Sequence, residues 1–504
     1  MSTSYTGVPS ASTSAARTPS PDLRRRQGMV ALVAAVLLLG GVVALELYST
    51  RLGGLGGGRY RLLTVLLGWW LAVVFASLVL RHVGRRSALV LVLVGAVVLP
   101  AASLTRGIQI SDDVFRYEWD GRVQAAGIDP YRYPPSAPEL AFLRDPYLWP
   151  PDELCPAIDR PDRPCTRINR LNVRTIYPPV AEAWFYVMHV LPGPDQEAHQ
   201  RLYASLLSVA LALLLVVVLP RLGRDPRLAV LYAWSPVAGF DIASDGHVDV
   251  LAGLFAVGAV ALAVRRDRHG GPATTPRRRS RRASLGAALC AAGAVAVKLY
   301  PALLLPALVR PVRSRRAAVA ALGFVGVTLG AVLLSYLPHV AAAGPDVLGY
   351  LPGYLEEEQY GGDATRYLVL GVLQLPPTAT QVAAVLALVA AVGWALVSTA
   401  PVPIRAVTLT GLAFLVATPV QPWYGLLLVI LAVLAARPEW VLVAAAAYPA
   451  YFSVLLRDER FLGIGQLSYG LAALGVLLGA LLRRAVRQRR QDHRPERPVE
   501  TLPV

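Results

Sequence analysis

Two adjacent carboxylates, Asp112 and Asp113, open the stretch SDDVFRYEWDGRVQAAGIDPYRYP (residues 111–134), directly after an apolar run. Near arginines and aromatics at a membrane edge, such a pair has the chemistry of a general base for an acceptor hydroxyl, and pairing pushes one of its pKa values upward. The plainer alternative is that acids in a first helical turn complement the helix dipole, worth roughly 0.3–1 kcal/mol each. Three further polar clusters interrupt apolar sequence: DIASDGHVD (241–249), Lys298 followed by Tyr300-Pro301, and QPWY (421–424) with Trp423 and Tyr424. Asp245, His247 and Asp249 are metal-ligand types, but no second histidine cluster accompanies them, and no dedicated metal site is expected. Solvation alone explains a polar loop equally well. Lys298 is the single lysine among 49 basic residues. An ammonium at the bilayer edge either snorkels to water or meets an anion, and a lipid phosphate would satisfy it.

The element that must present the acid pair is a helix of about four turns. Ser111 is its expected N-cap, Asp112 and Asp113 fill its first turn, and Gly127 followed by Pro130 ends it. Helical spacing then puts Asp113, Tyr117 and Asp120 on one face, with Arg116 beside them.

Composition excludes a soluble enzyme: of 504 residues, 55% are hydrophobic and 16% charged, against about 25% charged in soluble domains. A net charge of +17 would suggest a nucleic-acid partner in a soluble chain. Here the arginines lie in short loops between apolar runs, so topology explains them and no nucleic acid is expected. Runs approaching the roughly 20 residues that cross a bilayer fall at 29–48, 62–80, 87–105, 199–220, 228–243, 248–264, 284–297, 299–309, 317–337, 379–399, 405–419, 423–436, 439–456 and 464–482. The expectation is an all-α, multi-pass membrane protein of about fourteen spans.

Its organisation follows: 1–28, a disordered cytoplasmic tail; 29–105, three spans; 106–198, a large extracytoplasmic loop with the acid pair and juxtamembrane helices; 199–482, the other spans; 483–504, a basic cytoplasmic tail. Arg24 to Arg26, Arg81, Arg85, Arg86, Arg221 to Arg227, Arg265 to Arg282, Arg310 to Arg316 and Arg483 onward share one side, read as cytoplasmic with both termini. Arg51, Arg59 and Arg61 run against that rule. Tyr177 to Leu191 is placed as a juxtamembrane helix on the outer surface, because a crossing there would turn the 265–282 loop outward. Cys155 and Cys165, ten apart in the outer loop, are expected to form a bridge, which an oxidising compartment permits, with two free thiols as the alternative.

The motifs R-Y-x-W-D-G-R-V-x-x-x-G-x-x-P-Y from Arg116, T-I-Y-P-P from Thr175, G-H-x-D from Gly246, K-L-Y-P from Lys298 and P-W-Y from Pro422 carry a resemblance. The chain resembles the C-type (GT-C) glycosyltransferases, most closely the actinobacterial polyprenyl-phosphate-mannose-dependent branch, over about residues 100–430. The resemblance implies an inverting transfer of a sugar, mannose first, from a polyprenyl-phosphate donor to an envelope glycolipid or polysaccharide at the outer face of the plasma membrane. No cofactor beyond that lipid-linked co-substrate is expected. By position Asp113 is similar to the family acid four residues before the tyrosine, with Asp112 second. Lys298 and Arg116 would hold the donor phosphate, and Tyr177 and Trp423 would line the sugar cavity. Tyr117 and Asp120 beside the acids, and His247 and Tyr424 in the outer clusters, complete the expected substrate-binding set. A transporter or flippase of lipid-linked sugars is the alternative. It calls for ionisable groups at mid-bilayer, and apart from Glu46 they sit at the outer ends of spans. An envelope scaffold, for which the outer carboxylates are dispensable, is a third class.

Overall fold

In lipid a backbone can satisfy its polar groups only within itself, so long apolar runs wind into helices. A computed structural model describes residues 21–52, 58–158, 165–194, 196–268, 277–357, 366–455 and 461–492. Its fold is all-α. Helices α1 (Pro21–Ser49), α2 (Arg59–Val79) and α3 (Arg85–Ser103) come first, followed by α4 (Asp113–Ala125) and α5 (Pro179–Val190) in the long polar stretch. Then come α6 (Glu197–Arg221), α7 (Val230–Ala233), a π-helical stretch Val237–Ser244, α8 (Asp249–Arg268), α9 (Arg277–Val297) and α10 (Leu305–Leu308). The chain ends through α11 (Arg315–Ala343), α12 (Leu351–Glu357), α13 (Leu368–Gly371), α14 (Pro377–Val397), α15 (Val402–Val416), α16 (Gly425–Ala435), α17 (Val441–Leu455) and α18 (Phe461–Asp492).

All eleven residues of α16 are buried, as a helix apolar on every side must be. Around it, α1, α11, α14 and α18 turn apolar side chains outward, among them Leu37, Leu322, Leu386 and Leu482. Such surface is stable against lipid and not against water.

Seven described helices are long and apolar enough to cross a membrane: those holding the expected spans 29–48, 62–80, 87–105, 199–220, 317–337, 379–399 and 464–482. The other seven expected spans fall on different structures. Residues 228–243 break into α7 and the π-helical stretch, and 299–309 become a 3-10 turn (Tyr300–Leu304) and the single turn α10. Two are carried by α8 and α9, whose ends are arginine-rich, and three by α15, α16 and α17, of 15, 11 and 15 residues. Seven of the fourteen expected spans thus meet the length and apolarity of a crossing among the described residues, and short helices such as α16 are apolar through burial inside the bundle. Of the expected disordered tail, residues 1–20 lie outside the described residues, while 21–28 are the first turns of α1. In the basic tail α18 runs on to Asp492, and 493–504 lie outside the described residues.

The bundle has two distinct ends. At one, arginines cap carbonyls between elements: Arg227 on Arg81, Arg310 on Arg266, and Arg405 on Val309 and Ala395. At the other, the stretch between α3 and α6 packs on a small core of its own, built from Val114, Phe115, Trp119, Val123, Leu140, Leu148 and Ile168. With twelve residues, α5 is about 18 Å long, short of the roughly 30 Å of a bilayer core. It lies against α4, where Gly121 permits the approach: a Cβ there would collide with the Phe185 carbonyl.

Candidate active site

Helix α4 presents the acid pair at its first turn. Asp112 is its N-cap residue, not Ser111, whose hydroxyl lies 3.4 Å from the Asp113 amide nitrogen. The chain leaves the helix just before Gly127, whose N–H bonds to Gln124. One amide holds both carboxylates: Asn169 Nδ2 donates to Asp112 Oδ1 at 2.8 Å and to Asp113 Oδ1 at 2.7 Å. The other oxygen of Asp113 lies 3.9 Å from His247 Nδ1. Wholly buried, the His247 ring stacks on Trp423 with centroids 4.1 Å apart and planes 19° apart.

Lys298 stands where α9 ends, a position that carries its side chain back over the start of α8. Its ammonium is 3.2 Å from Asp249 Oδ2, 5.0 Å from the Tyr424 ring centre and 5.7 Å from that of Tyr177. Tyr300 donates to the other Asp249 oxygen at 3.3 Å. Tyr177 in turn meets Tyr117 edge-on at 5.1 Å, and Tyr117 stacks on Phe185 at 4.4 Å. Tyr354 of α12 reaches Tyr424 from above, hydroxyl to hydroxyl, at 2.8 Å. Residues of α4, α5, α8 and α12, the end of α9 and the turns at Tyr300 and Trp423 thus meet around Asp113 and Lys298.

Burial pushes the Asp113 carboxyl up, but His247, Lys298 and Arg170, with the amide of Asn169, outweigh it and hold the group below its ordinary value. An ionised carboxylate beside a fixed ammonium and a wall of aromatic rings can take a proton from a hydroxyl while the ammonium balances an anion.

Arg116 and Asp120 turn elsewhere. The Arg116 Nε lies 2.9 Å and 3.0 Å from the two Asp120 oxygens, and its Nη1 donates to the Val173 carbonyl. Asp120 adjoins Glu182 of α5, which accepts from Thr175 Oγ1 at 2.6 Å and Gln124 Nε2 at 3.0 Å. Burial and the neighbouring charge of Asp120 push the Glu182 carboxyl well above the usual range. Lys298, expected from sequence to meet a lipid phosphate, is already paired with Asp249. Among the described residues no group of three or more His, Cys, Asp or Glu is placed to hold a metal ion. Cys155 and Cys165 are joined, with Cα atoms 5.7 Å apart.

Asn169, Arg170, Tyr300 and Tyr354 are absent from the site expected from sequence. Asn169 and Arg170 lie in an irregular loop where no periodicity points to them. Tyr300 stands in the K-L-Y-P motif, from which only Lys298 was drawn.

Residues 175–419, just under half of the chain, match the model of Glycosyltransferase family 87, a C-type family of membrane glycosyltransferases. The match indicates a glycosyltransferase acting on lipid-associated sugars, and it does not favour a transporter. It takes in Tyr177, His247, Asp249 and Lys298 but ends short of Trp423 and begins after the acid pair. None of the curated proteins and none of the solved structures compared matches the chain.

Proposed function

We propose that this protein transfers mannose from a polyprenyl-phosphate donor to a cell-envelope glycolipid or polysaccharide, with inversion at the anomeric carbon. In this scheme the acceptor hydroxyl gives its proton to the Asp113 carboxylate as its oxygen attacks the anomeric carbon. The bond from that carbon to the phosphate oxygen breaks, and its electron pair leaves with the polyprenyl phosphate. Lys298, kept in place by Asp249, balances the charge that gathers on that phosphate. Asp112 shares the Asn169 clamp, His247 and Trp423 floor the sugar site, and Tyr117, Tyr177 and Tyr424 wall it. Arg116 and Asp120 brace α4 behind the acids. The polyprenyl-phosphate sugar is the sole co-substrate in the scheme. Placing the arginine-rich end and both termini in the cytoplasm sets the site at the outer face of the plasma membrane.

The observation that carries the proposal is the Asp113 carboxylate, clamped by Asn169, at the same end of the bundle as the aromatic-walled Lys298. The test is transfer of label from polyprenyl-phosphate mannose to octyl mannoside by the purified protein in nanodiscs. Wild type should form labelled glycolipid, and Asp113→Asn should fall by about 10²-fold or more with expression unchanged. Transfer only from another lipid-linked sugar would replace mannose. Movement of labelled lipid across vesicles without transfer would remove the enzyme.

A further inference from the structure

We infer that Asp245 is a positioning residue which holds the backbone leading into α4 and thereby places the Asp113 carboxylate. The inference rests on the transferase reading above. Asp245 lies in the turn between the π-helical stretch and α8 and is wholly buried. Its Oδ1 accepts the Gln109 N–H at 2.6 Å, and the Ile110 N–H is shared between Oδ1 at 3.4 Å and Oδ2 at 3.2 Å. Gln109 and Ile110 are themselves buried, in an extended stretch that offers no helical partner for their amides. A buried N–H left without an acceptor is costly, so this one carboxylate fixes where the chain runs four residues before Asp113. On the far side the Ile110 carbonyl accepts from the Tyr451 hydroxyl at 3.2 Å, which pins the same residue to α17.

The next two residues continue the contact. Gly246 has φ +73°, and a Cβ on it would stand 3.1 Å from Val114 Cγ2 in the first turn of α4. His247 then faces Asp113 itself. Three consecutive residues therefore touch the approach to α4, its first turn and its carboxylate. Asp241, four residues earlier, serves a different partner, the Tyr448 hydroxyl at 2.7 Å. Because its oxygens are occupied by backbone amides, Asp245 acts through the main chain and not on substrate.

The test uses the full chain in nanodiscs with labelled polyprenyl-phosphate mannose and octyl mannoside. Asparagine keeps one acceptor oxygen but turns an NH2 toward the second amide, so Asp245→Asn should lower kcat by about tenfold to a hundredfold, with donor KM within about twofold. On an Asp113→Asn background the same change should cost less than about a further twofold, since misplacing a base already lost costs nothing. Full multiplication of the two losses, or a raised donor KM with kcat intact, overturns the assignment. Hydrogen exchange over residues 105–117 should rise in Asp245→Asn, and unchanged exchange also overturns it. Should Asp113→Asn retain full activity, the transferase scheme fails, and exchange alone then decides the placement. If Asp245→Asn does not fold, Tyr451→Phe carries the test, because it releases the Ile110 carbonyl on the other side of the same residue. Its kcat should fall with donor KM within about twofold, and exchange over residues 105–117 should rise. Unchanged kcat and exchange overturn the assignment.

Discussion

Asn169 Nδ2 lies 2.7 Å from Asp113 Oδ1 and reaches it from 56 residues further along the chain. A hydrogen bond to the charged form of a carboxylate favours that form, so this contact both orients the carboxylate proposed as the base and helps hold its pKa down. Asp113 sits below its ordinary value of 3.8 despite burial. As pH falls the base is protonated, and in the free enzyme this loss should come only below pH 3.8. Asn169→Ala should move that limb of kcat/KM upward in pH and cost about tenfold in rate at neutral pH. A pH–rate profile that matches wild type on its acid side would separate Asn169 from the base.

The contact between Lys298 and Asp249 leads to a second expectation. Lys298→Ala removes the ammonium proposed to meet the donor phosphate, and a charge-assisted hydrogen bond is worth about 1.5–3 kcal/mol. Binding of polyprenyl phosphate, measured directly, should weaken by about tenfold to a hundredfold. Asp249→Asn keeps the ammonium and loses only its anchor, so its affinity should fall less. Equal loss in both, or none in Lys298→Ala, would show that Lys298 serves Asp249 and not a ligand.

Arg116 holds both oxygens of buried Asp120 through its Nε, so its first effect should be on stability. Removing one partner of a buried ion pair leaves the other uncompensated, a loss of about 3–5 kcal/mol. Arg116→Ala should therefore lower the thermal midpoint strongly, and the double variant with Asp120→Ala should regain part of it. If Arg116→Ala stays as stable as wild type while donor KM rises, Arg116 is free to bind phosphate after all.

Sequence disclosed the membrane class and singled out the two charges at the poles of the candidate site, through different signals. The apolar runs behind α1, α2, α3, α6, α11, α14 and α18 were visible because each is long enough to face lipid. Segments such as α10 and α16 deceive, because burial inside a bundle makes a helix apolar without making it bilayer-long. Asp113 and Lys298 stood out as charges at the edge of apolar sequence. What joins them did not. Asn169 approaches from an irregular loop, and nothing in the alternation of Asp245, His247 and Asp249 tells that each meets a different neighbour. Nothing in the spacing of Arg116 and Asp120 tells an intrahelical pair from two ligands of a substrate, since four residues apart serves either.

Glu182 provides a test of the packing behind the acids, with a sign fixed by its environment. Burial and the charge of Asp120 raise its carboxyl well above the ordinary 4.5, so the native state keeps a proton there that the unfolded chain has released above pH 4.5. Stability from this group is therefore complete at and below that pH and is lost as pH rises through the native pKa. Glutamine has the same shape, and its amide can serve Thr175 and Gln124 and donate to Asp120, which the carboxyl also meets, but it has no proton to lose. Glu182→Gln should match wild type near pH 4.5 and exceed it at about pH 8 by at least about 1 kcal/mol, since a tenfold change in proton affinity is worth about 1.36 kcal/mol. Thermal unfolding in detergent at the two pH values reads this directly. A variant less stable than wild type at the higher pH would mean that Glu182 is ionised in the native state and that its charge, not its proton, holds α4 and α5 together.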